Sequence, residues 1–112
     1  MVQMPGNLPI LDEQHLKRQT MDNPDLETEI LALFVTEAER LLRQIEESED
    51  ARTRYERIHA IRGLARNIGA QKLAMIALNA EKGDALNVRE IRAAVDEVIT
   101  HIKTAEGRVE PL

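Results

Sequence analysis

Apolar residues recur at steps of three and four through four separate stretches of this chain, and nowhere alternate as a strand would. The longest such stripe is Leu26, Ile30, Leu33, Phe34, Ala38, Leu41 and Ile45. The last is Val88, Ile91, Val95, Val98 and Ile102. That period leaves an all-α fold as the reading. Only Phe34 and Tyr55 are aromatic, so the core must come from Leu, Ile, Val, Ala and Met, which suit helices. At 112 residues the chain fits one domain with one core.

Breakers and caps divide the sequence. Residues 1–9, with Pro5, Gly6 and Pro9, read as a flexible tail, 10–106 as the folded bundle and 107–112 as a C-terminal tail. Asp12 caps a short helix running to about Met21. Asn23 caps a long helix that begins at Pro24, where proline suits the first turn, and ends near Ser48. A third helix covers about Ala51 to Ile68, with Gly69 at the expected left-handed cap. A fourth covers about Gln71 to Lys82 and stops at Gly83-Asp84. Asn87 caps the last, from Val88 to about Thr104. Short turns between four amphipathic helices predict an up-and-down antiparallel four-helix bundle, with the short additional N-terminal helix covering one end. Every apolar stripe is read as core.

Composition removes several classes of function. Without cysteine there is no disulfide, cysteine-based zinc site or thiol nucleophile. No apolar run is long enough to span a membrane. The N-terminus lacks a basic stretch followed by an apolar one, so it does not read as a secretion signal. These features predict a cytoplasmic protein. No phosphate-binding glycine loop or dinucleotide fingerprint occurs, which argues against an ATP-dependent kinase and against a cofactor. His15 and His101 read as surface residues near opposite ends of the fold, and no two histidines have metal-site spacing. A net charge of −5 argues against nucleic-acid binding. The charge is uneven, however. Residues 51–72 hold six bases and one acid, net +5, against nine bases and nineteen acids elsewhere, net −10. Such a run is either a solvated helix face or a docking face for an acidic partner.

On a helical wheel of the third helix, Ile58, Ile61, Ala65 and Ile68 define the buried side. Arg52, Glu56, His59, Gly63 and Arg66 share the opposite side, so His59 should face water. Gly63 lies one turn on. A glycine inside a helix costs about 1 kcal/mol relative to alanine, which points to close packing or to space kept clear; the exposed stripe favours clear space beside His59. Arg62 and Arg66 flank that gap.

The segment His59-Ala60-Ile61-Arg62-Gly63-Leu64-Ala65-Arg66-Asn67-Ile68-Gly69-Ala70 resembles the signature of histidine-containing phosphotransfer (HPt) domains, roughly H-x-L-K-G-S/A-x-x-x-x-G-A. His59, Gly63, Gly69 and Ala70 match. Ile61 and Arg62 are near matches, and Leu64 departs from the usual small residue. The helix order resembles the family from about residue 10 to 104. The resemblance implies a four-helix bundle whose histidine, His59, accepts a phosphoryl group. It further implies exchange with receiver domains of response regulators or a hybrid sensor kinase. The expected form is a monomer needing neither metal nor cofactor. Neutral imidazole is a competent nucleophile near pH 7, and phosphoryl transfer asks mainly for positioning and charge neutralisation. Arg62 and Arg66 would supply positive charge, with the reservation that arginine's planar fork does not copy lysine.

The family often places Glu or Gln near the histidine. Chain reversal at Gly69-Ala70 brings His59 level with Ala80 and Glu81. Glu81 either accepts a hydrogen bond from the ring or pairs with Lys82 or Arg66. Ala60 after His59, and the lack of a following proline before Pro111, separate the chain from the dimerising helices of sensor kinases. Two alternatives stand beside transfer. One is a module of the same fold that sequesters a receiver or kinase domain, and the other is a structural adaptor in which His59 is incidental.

Overall fold

A computed structural model describes residues 7–82 and 88–105. These form five helices and, among the described residues, no strand: α1 Glu13–Gln19, α2 Pro24–Glu47, α3 Ala51–Ile68, α4 Gln71–Lys82 and α5 Val88–Ala105. The expected stop at Gly83-Asp84, the Asn87 cap and the 107–112 tail lie outside the described residues.

Local chemistry fixes the helix starts. The Asp12 side chain accepts from the His15 N–H, and Asn23 accepts from the N–H groups of Asp25 and Leu26. Asp50 does the same for Arg52. Each cap satisfies donors that the first turn leaves unpaired and contributes about 1 kcal/mol. Helix α1 stops at Gln19, short of the expected Met21. Thr20 is buried, with its hydroxyl on the Leu16 carbonyl at 2.9 Å. Met21 and Asp22 then turn the chain with φ of 52° and 58°. Met21 pays a steric cost there that glycine would avoid.

Helix α2 packs on α3, α3 on α4 and α4 on α5, while α5 closes back onto α2; α1 lies against α3. The core is aliphatic around Phe34: Leu16, Leu31, Leu42, Ile45, Ile58, Ile61, Ile68, Leu73, Ile91, Val95 and Val98 are essentially inaccessible. Burial of each large side chain stabilises by roughly 1.5–3 kcal/mol. The α2 stripe differs from the sequence reading at Leu33, Leu31 and Leu42. Leu33 is 64% exposed, whereas Leu31 and Leu42 are buried. Helix α2 touches α3 on one side and α5 on the other, so its buried arc widens to take in Leu31 and Leu42 and leaves Leu33 at its edge. Surface pairs tie neighbours together. Arg92 on α5 grips Glu46 on α2, with Nη2 2.7 Å from Oε1, and Lys72 on α4 meets Glu97 on α5 at 3.0 Å.

Residues before α1 are tied down as well. The Pro9 carbonyl accepts from Lys72 N–H at 3.1 Å, Leu11 is buried, and Asp12 N–H donates to the Gly69 carbonyl at 2.8 Å. Helix α1 thereby closes over the α3–α4 turn.

Candidate functional site

Helix α3 presents its polar side as the wheel requires. Ile58, Ile61, Ala65 and Ile68 are buried, and the His59 side chain is 57% exposed. Glu81 comes from the last turn of α4, which the reversal at Gly69 places beside α3. Its Oε1 accepts the His59 Nδ1–H at 2.8 Å. A carboxylate only accepts, so Nδ1 carries a proton, and in the neutral ring Nε2 then carries the free lone pair. Nε2 has no partner among the described residues. A neutral imidazole held this way has its nucleophilic nitrogen available and its orientation fixed through the other.

Arg62, one turn along α3, turns toward α4. Its Nε is 3.1 Å from Glu81 Oε2. Of the partners weighed for Glu81 from sequence, His59 is the one found; Lys82 and Arg66 are not, and Arg62 is added. Arg66 is exposed and makes no ion pair among the described residues. With Arg62 it lines a shallow groove of about 260 Å³ between α3 and α4, whose apolar walls are Leu8, Met75 and Leu78.

Gly63 is exposed, and a Cβ built there meets nothing within 4 Å. The space beside His59 is therefore open. Beyond it, Leu64 joins Ile30, Leu33 and Phe34 in a groove of about 440 Å³ between α2 and α3, rimmed by Gln19, Glu37 and Asn67. The His59–Gly63 stripe thus runs between a basic groove and an apolar one.

Two features escaped sequence reasoning. The Tyr55 ring lies nearly parallel to His59, 16° between planes and 6.5 Å between centroids. Its four-residue spacing from His59 was the available signal. The pairing of Arg62 with Glu81 had no sequence signal, because it depends on side-chain direction across two helices. The other histidines are not at opposite ends. His15 Nε2–H donates to the Asn67 carbonyl at the end of α3, and His101 lies 3.8 Å from Glu13, the first residue of α1. His15 therefore belongs to α1 and ties it to α3, and His101 on α5 borders the start of the same helix. Among the described residues no group of His, Asp or Glu side chains is arranged to hold a metal ion, and no helix is long and apolar enough to cross a membrane.

A search of curated proteins finds no match to this chain. A family model of the Hpt domain matches residues 29–105, from the second turn of α2 through α5, leaving α1 outside. That span covers more than half of the sequence and contains His59, Gly63 and Glu81. An all-helical chain with an exposed, oriented histidine fits a domain of that kind: the protein belongs to the Hpt domain family.

Proposed function

We propose that this protein is a phosphorelay intermediate. His59 accepts a phosphoryl group from a receiver-domain aspartate or a hybrid sensor kinase and passes it to another receiver. Family membership supports a role in histidine phosphotransfer. The observation that carries the reading to His59 is the ring itself: exposed, with Nδ1–H held by Glu81 and open space at Gly63. The four long helices then act as a rigid, up-and-down antiparallel bundle for that ring, as the short turns and the contact of α5 with α2 suggest. The working form is a cytoplasmic monomer, and the α3 bases meet acidic partners.

The test uses receiver domains charged with acetyl phosphate. Incubation with the protein should leave acid-labile phosphate on it, and a second, uncharged receiver should take that phosphate away. His59→Gln should abolish acceptance with little change in stability, since the side chain lies outside the core. Normal acceptance by the variant would move the site elsewhere, and unfolding would make His59 structural.

One observation favours a second reading, a binding module that sequesters a receiver or kinase domain without transfer. Leu64, the departure from the family signature, lines the apolar groove with exposed Leu33. Tight receiver binding with no phosphate exchange in either direction would select it.

A further inference from the structure

Arg62 has a partner other than the space above His59. The Glu81 side chain is 6% exposed; its Oε1 accepts the His59 Nδ1–H, and its Oε2 faces the Arg62 guanidinium. Oε2 lacks a well-aligned hydrogen bond, so at 3.1 Å it is compensated by charge more than by direction. Arg62 is itself only 23% exposed. A buried carboxylate is costly without a countercharge. The neutral ring supplies none, whereas the guanidinium does.

We propose that Arg62 is a positioning residue acting through Glu81: it balances the carboxylate and so limits how strongly the His59 ring holds protons, instead of gripping the phosphoryl group. The consequence for transfer rests on the phosphorelay reading; the effect on the ring does not.

The consequence follows from the steps. In acceptance the Nε2 lone pair attacks phosphorus. The Nε2–P bond forms as the P–O bond to the donor carboxylate breaks, and that electron pair leaves on the donor oxygen. Nδ1 keeps its proton, so the phosphorylated ring is cationic and faces Glu81. In release an acceptor carboxylate oxygen attacks phosphorus, the Nε2–P bond breaks, and its electron pair returns to Nε2 of a neutral ring. Acceptance needs Nε2 free of a proton. Release is faster while Nδ1 keeps its proton, because neutral imidazole leaves more readily than imidazolate. Glu81 favours proton binding in both states, and the positive charge of Arg62 opposes it. Removing Arg62 therefore slows acceptance and quickens release. Losing a phosphoryl contact would instead slow both, since charge neutralisation serves both directions.

The other charges near the ring do not replace this pair. On α3, Tyr55 stacks on the ring, Arg54 lines a cavity with Glu81 but donates to the Ser48 carbonyl, Glu56 is occupied by Arg52 and Arg57, and Arg66 lies beyond Gly63 without an ion pair among the described residues. On α4, Lys82 is exposed beside Glu81. On α2, Glu37 lines the far side of the Leu64 groove and is held by Arg40. On α1, His15 donates to the Asn67 carbonyl at the far end of α3.

The experiment compares full-length wild type, Arg62→Gln and Arg62→Lys. Ring ¹⁵N shifts of unphosphorylated His59, followed across pH, should show Nδ1–H as the tautomer of the neutral ring in the wild type. The protonation midpoint should move upward in Arg62→Gln and return toward wild type in Arg62→Lys. Acceptance from a charged receiver at neutral pH should fall in Arg62→Gln by up to about tenfold, the effect of a one-unit midpoint shift, and recover at higher pH. Loss of phosphate from phospho-His59 should quicken. An unchanged midpoint, or slowing in both directions at every pH, would overturn the proposal. If even the wild type takes no phosphate, the phosphorelay reading fails, while the ring titration still decides the role of Arg62.

Discussion

Helix α3 and its C-terminal cap hold two glycines six residues apart, and they are there for opposite reasons. Gly69 is buried at the helix end with φ of +83°, and a Cβ there would lie 3.0 Å from the Asp12 carbonyl oxygen and 3.1 Å from His15 Cδ2. Gly63 is exposed in the middle of the helix, in ordinary helical conformation, with nothing within 4 Å. The first is demanded by backbone and packing. The second is demanded by nothing inside the protein and weakens the helix by about 1 kcal/mol relative to alanine. A vacancy kept at that cost one turn from an exposed histidine is best understood as room for what approaches from outside.

Substitution separates the two. Gly69→Ala should cost about 2 kcal/mol or more in denaturant unfolding, combining left-handed strain with contact against a backbone that is hydrogen-bonded to residue 69 itself. A loss below about 0.5 kcal/mol would erase the contrast. Gly63→Ala should have the opposite sign, raising stability by up to about 1 kcal/mol. Gly63→Leu should fold normally and fail in transfer. Normal transfer by the leucine variant would show that the space has no use.

The same division applies to charges. Arg66 is exposed on the His59 stripe, so Arg66→Glu should slow receiver association and transfer several-fold at low salt. Stability should scarcely change, and the effect should shrink as salt screens charges over about 8 Å. Arg57 would be a natural control from its wheel position, but its Nε–H donates to Gln44 Oε1 at 2.7 Å, so reversing it also disturbs the α2–α3 contact. Exposed Arg43 on α2 is the cleaner control. Equal slowing by Arg66→Glu and Arg43→Glu would reduce the docking face to net charge.

The smallest effect belongs to the α2–α5 clasp. The Arg92 hydrogen bond holds the Glu46 carboxyl below its ordinary value of 4.5. A carboxylate with a lowered folded-state value contributes stability above the unfolded value, and that contribution disappears as pH falls through the folded one. Below about pH 4.5 wild type should therefore lose its small advantage over Glu46→Gln. The difference at neutral pH should be no more than about 1 kcal/mol, because both partners are partly exposed. Transfer should be untouched. An effect on transfer would mean the clasp reaches the site.

Much of this was legible in the sequence because it is periodic or local. The Asn23-Pro24 start of α2, the Gly69 cap and the exposed face of α3 each follow from a few neighbouring residues. Leu33 was misplaced because the width of a buried arc depends on how many helices a face meets. Met21 falls outside α1 because it and Asp22 take left-handed conformations that no helix continues through, and neither is a glycine that would announce the stop. Chain reversal brought Glu81 to the level of His59, whereas the turn of Arg62 toward α4 depends on side-chain direction, which no spacing encodes.

With Nδ1 of His59 committed to Glu81, phosphate accepted by this ring should sit on Nε2. Phosphoramidate tests it most directly, since this small donor needs no docking partner. After treatment, phosphorus–nitrogen coupling in the labelled protein should show one phosphohistidine, at His59 and on Nε2, absent from His59→Gln. Phosphate on Nδ1 of His59, or on His15 or His101 instead, would contradict it.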